Sequence, residues 1–148
     1  MMKQKEPKNI FIRNAVSPAF IAESIGKHGE KTGIGAHSIF LGQVRADVID
    51  NKTVTGIEYT AYEDMANQQM FLIREDIFEK YPITCMHVYH SLGRVGTGEI
   101  CLFVFTSSPH RKPAIDACEE TVERIKKELP VWGREIFADE SYQWKKDN

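Results

Sequence analysis

The sequence predicts an α+β fold in a single domain, with a sheet of mainly antiparallel strands. Three observations lead there. The length, 148 residues, suits one domain, enough chain to bury roughly 70% of its unfolded surface. Hydrophobic residues make up 42% and charged residues 27%, ordinary globular proportions. The strand-like segments come mostly as adjacent pairs, the pattern of antiparallel pairing rather than of a doubly wound parallel sheet.

Each element has a local reason. Residues 1–9 are polar and read as a flexible tail, and a short strand follows at 10–12. Ser17-Pro18 is a helix start, a capping hydroxyl followed by proline at the first helical position, and Gly26 or Gly29 ends that helix. Residues 36–45 (AHSIFLGQVR) are β-rich, Asp50-Asn51-Lys52 is a turn, and 53–62 alternates as a strand, so the two strands read as a hairpin or near neighbours. Apolar residues at 66, 70, 73 and 77 give 63–80 a helical period, and Pro82 stops it. Strands at 83–92 and 99–107 flank a glycine-rich turn, 93–98. A long helix then runs over 110–129, Pro130 ends it, and an extended piece at 131–138 leads to a polar tail containing Trp144.

Composition excludes several function classes. The net charge is −2, from 19 basic and 21 acidic residues, which argues against a nucleic-acid partner. Three cysteines at 85, 101 and 118 form no Cys-x-x-Cys pair and sit in apolar segments, as reduced buried thiols of a cytoplasmic protein do. No secretory h-region follows the N-terminus, and the longest apolar runs are far short of the ~20 residues that span a bilayer. No HExxH, P-loop, GxSxG or EF-hand pattern occurs; no metal and no cofactor are expected. His87 and His90 are three apart on a strand, face opposite sides and cannot share an ion.

The most informative junction is Thr106-Ser107-Ser108-Pro109-His110-Arg111-Lys112. A strand ends, Ser108 is placed to cap, and cations fill the first helical turn, where free N–H groups and the dipole favour an anion such as phosphate. An ordinary capped helix with solvated basic residues explains the same letters equally well. Along this helix Ala114, Cys118, Val122, Ile125 and Leu129 form a buried stripe. Lys127 lies roughly opposite the stripe, Lys126 only ~80° from it, at the border of core and solvent. Arg111 projects toward the stripe side, at a pocket edge.

At this point the residues carry a resemblance. FLGQVR at 40–45, EYTAYEDMA at 58–66, HSLGRVGTGE at 90–99, SSPHRKPA at 107–114, ERIKKELPVW at 123–132 and the terminal Trp144 stand in order. Together they resemble the large, catalytic subunit family of molybdopterin synthase over essentially residues 10–144. The resemblance implies an α/β hammerhead-type fold and a homodimer that binds a small ubiquitin-like sulfur-carrier subunit at each end, making a heterotetramer. It implies a sulfurtransferase of molybdenum cofactor biosynthesis. Two sulfur transfers from the Gly-Gly thiocarboxylate of the small subunit convert cyclic pyranopterin monophosphate (precursor Z), an anionic pterin, into molybdopterin.

Residue by residue, the resemblance makes Lys126 the catalytic lysine. It makes Gln43, Val44, Arg45, His110 and Arg111 substrate contacts, with Gly133, Arg134 and Glu135 completing the substrate-binding set. One position departs: Gly133 stands where the family usually has a second functional lysine. Arg134 would face the other way on a regular strand and could substitute only across a bulge. The departure leaves open compensation by Arg134, slow turnover, or a non-catalytic homologue that binds the small subunit or a pterin phosphate. If nothing compensates, Gly133→Lys should raise turnover, provided the new side chain fits; if Arg134 compensates across a bulge, the same change should do harm and Arg134→Ala should be the damaging mutation. A stand-alone phosphate-ester enzyme is the poorest reading, lacking paired carboxylates or metal ligands.

Overall fold

The computed structural model describes residues 6–146. Of the expected N-terminal tail, residues 1–5 lie outside the described residues. Residues 6–9 are irregular and exposed, and the Asn9 carboxamide accepts a bond from Asn67.

The elements run β1 (Phe11–Arg13), α1 (Pro18–Lys27), a 3₁₀ turn (His28–Glu30), β2 (Ala36–Gln43), β3 (Val48–Ile49), β4 (Lys52–Ala61), α2 (Glu63–Lys80), β5 (Cys85–Gly96), β6 (Ile100–Ser108), α3 (Arg111–Glu128), β7 (Val131–Phe137) and β8 (Tyr142–Trp144). They form a mixed α/β fold around one eight-stranded sheet, ordered β2-β6-β5-β4-β7-β8, with β3 on β4. Every pairing is antiparallel except that of β1, which lies parallel to β5.

Local chemistry explains the joints. Ser17 caps α1 through a 3.1 Å bond from Phe20 N–H, with Pro18 at the first helical position. Asp50 and Asn51 both have positive φ (49° and 65°), the geometry of a two-residue type I′ hairpin. That hairpin joins β4 to the two-residue β3, not to the strand at 36–43, which pairs with β6 instead. The glycine-rich stretch is not all turn. β5 continues through it and changes partners, from β6 at 85–90 and β1 at 90–92 to β4 at 93–96. Gly93 sits at that change with φ +83°, and a Cβ there would lie 3.0 Å from Asn14 Oδ1. The reversal itself is confined to Gly96–Glu99, closed by a 3.0 Å bond between Glu99 N–H and the Gly96 carbonyl. The region expected to be a polar tail contains β8, which pairs Arg134 with Trp144.

Two cores sandwich the sheet. On the inner face, α2 and α3 bury Ile73, Ile77, Ala117 and Ile125 against Ile57, Met86 and Val104. On the outer face, α1 covers Val16, Phe103 and Phe105 with Ile21 and Phe20. Of the predicted α3 stripe, Ala114, Cys118, Ile125 and Leu129 are buried, Val122 partly, and Ala117 and Thr121 join them. β2 ends the sheet. Among the described residues nothing pairs with its far side, where Ile39, Phe40 and Leu41 remain 36%, 37% and 41% exposed.

Candidate active site

α3 begins two residues later than its capping letters suggest. His110 is the cap residue, extended at φ −121° and ψ 152°, and its side chain caps nothing. Ser108 stays in β6, and its hydroxyl donates to the His110 carbonyl rather than accepting from a helical N–H. The expected Ser108 cap and Pro109 first turn are therefore not formed. What remains is a first turn with no acidic residue, headed by exposed His110 and Arg111, while Lys112 pairs with Asp116 at 3.1 Å. Arg111 is exposed in the single chain, not tucked at the stripe side as the wheel suggested.

Lys126 lies at the other end of the same helix. It is exposed, and its charge reaches the ring of His90 on β5. His90 is buried on the inner face, its Nδ1 donating to the Ser91 carbonyl at 2.8 Å and its ring edge-on to Tyr59 at 5.2 Å. Burial, then the Lys126 charge, holds the His90 imidazole down to about 4, against the bond to Ser91 that favours the cation. Tyr59 is pushed well above the ordinary phenol range, first by burial, then by Cys101 and Glu135. Lys126 thus overlooks a floor of neutral His90 and Tyr59.

The C-terminal end of β2 borders this floor. Cys101 Sγ donates to the Gly42 carbonyl at 3.4 Å, and Val44 is tied to the β5–β6 turn through Glu99 and Gly98. Val44 is buried; Gln43 and Arg45 are exposed, and Arg45 pairs with Asp47 at 3.3 Å. On the neighbouring β7, Gly133 stands opposite Tyr59 and Glu135 opposite Ile57, so both face the same side as the floor. Glu135 is buried and accepts a 3.3 Å bond from Gln143.

At Gly133 the structure follows the regular-strand expectation for Arg134 and opposes easy accommodation of a lysine at 133. β7 pairs with β4 in unbroken register from Ile57↔Glu135 to Ala61↔Val131, so no bulge turns Arg134 inward. Arg134 stays on the opposite face, bonded to Glu58 at 2.7 Å and stacked 4.4 Å from the Tyr142 ring centre. The backbone at 133 is strand-like, yet a Cβ there would stand 2.8 Å from Ile57 Cγ2 and 3.1 Å from the Tyr59 ring. A restored lysine does not simply fit.

Distance divides the remaining residues. Fifteen residues separate Arg111 from Lys126, about 22 Å at the α-helical rise. Within one chain, therefore, His110 and Arg111 do not share a small ligand with Lys126. Sequence reasoning missed this because motif matching carries no distance. It also missed Cys85 and His87, two apart on β5 and so on one face, with His28 from the 3₁₀ turn against them: the pairing was visible only by spacing of two, and His28 only in three dimensions. A cavity of about 770 Å³ lies away from Lys126, between residues 6–10, α2 and the free edge of β5.

Comparisons with known proteins agree with one another. Residues 15–128 match the MoaE protein family. Over 122 residues the chain is 40% identical to a molybdopterin synthase catalytic subunit of Bacillus subtilis, covering 82% of this chain and 76% of that one. A Drosophila willistoni protein of the same name is 38% identical over 117 residues, 78% of this chain but only 31% of that longer one. The fold is similar to the crystal structure of molybdopterin synthase from Staphylococcus aureus, with a TM-score of 0.81, 30% identity and 99% of both chains covered.

Proposed function

The chain belongs to the MoaE family, and from that premise we propose that it is the catalytic subunit of a molybdopterin synthase whose active site is completed by a second copy of itself. It transfers sulfur from the C-terminal thiocarboxylate of a small ubiquitin-like subunit to a cyclic pyranopterin monophosphate, and it acts in the cytoplasm. No helix of the described residues is long and apolar enough to cross a membrane.

The observation that carries this reading is the placement of the cations at opposite ends of β2. Gly35, just before β2, donates to the Ser108 carbonyl at the head of α3, while Gln43 and Arg45 mark the other end beside the Lys126 floor. If two β2 strands pair antiparallel about their midpoint, Ala36 of one copy opposes Gln43 of the other. The His110–Arg111 end of one α3 then meets the Arg45–Lys126 end of its mate. The exposed Ile39, Phe40 and Leu41 become the buried seam of that pairing.

Chemically, Arg111, His110 and the free N–H groups of the α3 first turn hold the substrate phosphate, with Arg45 across from them. Lys126, above a floor that stays neutral, stabilises the oxyanion or moves a proton as the thiocarboxylate sulfur attacks the pterin substrate. Sulfur comes from outside the chain, because Cys85, Cys101 and Cys118 are all buried. Gly133 offers no second ammonium, so Lys126 carries that charge alone.

Reconstitution tests the activity: the chain, a thiocarboxylated small subunit and the cyclic pterin substrate should yield molybdopterin. Mixing tests the shared site. At limiting substrate, Lys126→Ala and Arg111→Ala chains, each impaired alone, should regain about a quarter of the wild-type sites after random reassortment, since half of the pairs hold one intact site. No recovery from pairs shown to have exchanged would place the whole site in one chain.

A further inference from the structure

On the outer face of the sheet, opposite His90 and Lys126, three ligating side chains converge. Cys85 and His87 stand two apart on β5 and project to the same side. His28, at the start of the 3₁₀ turn, lies against them, and the two imidazole nitrogens and the thiol sulfur are all within 4.8 Å of one another. Cys85 and His28 are buried, and His87 is partly so.

The hydrogen bonding around His28 prepares it as a ligand. Its Nδ1 is 2.7 Å from the Ser24 carbonyl, which can only accept, so Nδ1 carries the proton and Nε2 keeps its lone pair. That Nε2 faces His87 Nε2 at 3.0 Å. A backbone carbonyl holding the far ring nitrogen is the usual outer support of a metal-bound histidine. Lys31 Nζ lies 2.9 Å from Cys85 Sγ, a donor positioned for a sulfur bearing negative charge.

We propose that His28, Cys85 and His87 form a binding site for a thiophilic divalent ion of the zinc class. Tetrahedral zinc holds nitrogen at about 2.0–2.1 Å and sulfur at about 2.3 Å, which spaces neighbouring ligand atoms by roughly 3.3–3.7 Å. The histidine pair needs to part by only tenths of an ångström to admit the ion. The mixed imidazole and thiolate set excludes calcium and magnesium, which take oxygen ligands. Lys8, Lys31 and Arg74 lie near His87, so the site suits an ion that gains covalent stabilisation from sulfur over one held by charge alone. Three protein ligands leave a fourth position for water or an exogenous group, and His87 also lines the 770 Å³ cavity at the β5 edge, a route for exchange.

Cobalt is the probe, because its spectrum reports ligands directly. The untagged full-length chain, reduced and stripped with a chelator, is titrated with Co²⁺. The expected result is one equivalent bound, with the intense visible bands of tetrahedral cobalt and a near-ultraviolet thiolate-to-cobalt band, both erased by Zn²⁺. Cys85→Ser should abolish the thiolate band. His28→Gln and His87→Gln should each weaken binding by more than about 100-fold, beyond the cost of losing an outer partner. Cys118→Ser, on the other face, should leave the spectrum unchanged. Absence of the thiolate band in the wild-type chain, or its survival in Cys85→Ser, overturns the proposal. The wild-type spectrum decides even if a variant fails to fold.

Discussion

Replacing Gly133 by alanine adds one carbon at a place where two opposing effects can be weighed. The residue has no positive φ, so alanine is permitted and by chain entropy alone would stabilise the fold by about 0.4–1 kcal/mol. Against that, the new Cβ stands 2.8 Å from Ile57 Cγ2 and 3.1 Å from Tyr59 Cε1. Ile57 is 4% exposed and branched at Cβ, so its methyl cannot swing away without a rotamer change. Tyr59 is wedged against His90. Overpacking of this kind costs about 1–3 kcal/mol. The clash wins, and Gly133→Ala should destabilise the protein by about 1–2 kcal/mol, lowering Tm by about 2–8 °C for a chain of this size. Denaturant unfolding of both proteins measures it. Ile57→Leu removes the offending γ2 methyl at nearly constant volume, so in that background the penalty should shrink measurably, a coupling a double-mutant cycle resolves. A Gly133→Ala midpoint equal to or above wild type would refute the packing argument.

Other expectations follow from the same geometry. Lys126→Ala should nearly abolish sulfur transfer while leaving the unfolding midpoint unchanged, since the side chain is exposed, whereas Lys127→Ala should be close to silent in turnover assays; equal losses would refute the separate roles. Arg111→Ala should weaken binding of the pterin phosphate by about 1.5–3 kcal/mol, read by calorimetry, and unchanged affinity would remove it from the site. Acid should destabilise the fold through His90. Its pKa falls from 6.5 to about 4 on folding, so between those values the unfolded chain binds the extra proton, and stability present at pH 7 is lost as pH falls, by about 3 kcal/mol at pH 4. Lys126→Ala should raise the His90 pKa in an NMR titration; no movement would place the ammonium elsewhere.

Much of the fold was legible because its signals are local. The Ser17-Pro18 start, the α2 period with its stop before Pro82, and the Asp50-Asn51 turn each express a rule confined to a few residues. What failed was long-range. β2 and β4 look like hairpin partners because they are neighbours in sequence, but Lys52–Ala61 satisfies its turn with a two-residue strand and leaves β2 to join β6. β8 was hidden because Tyr142–Trp144 carries too few apolar residues for a pattern and is ordered by β7. The site was legible by residue type but not by reach. A motif places Arg111 and Lys126 in one functional list, whereas a rigid helix keeps them two-thirds of a small domain apart. Ser108 shows the local limit: its letters read as a cap, yet its hydroxyl bonds the carbonyl of His110, the residue that occupies the cap position.

The open margin of β2 also has a consequence in mass action. If each working site draws on two chains, specific activity is a property of the solution as well as of the molecule. Well below the dissociation constant of the pair, the concentration of sites falls with the square of chain concentration, so dilution alone would inactivate an enzyme in which every chain remains folded. Before pairing, a newly made chain presents a row of unmatched N–H and C=O groups flanked by Ile39, Phe40 and Leu41, open to any extended peptide that arrives first. The same strand that would bring the reaction's charges together sets the abundance below which the cell could not use them.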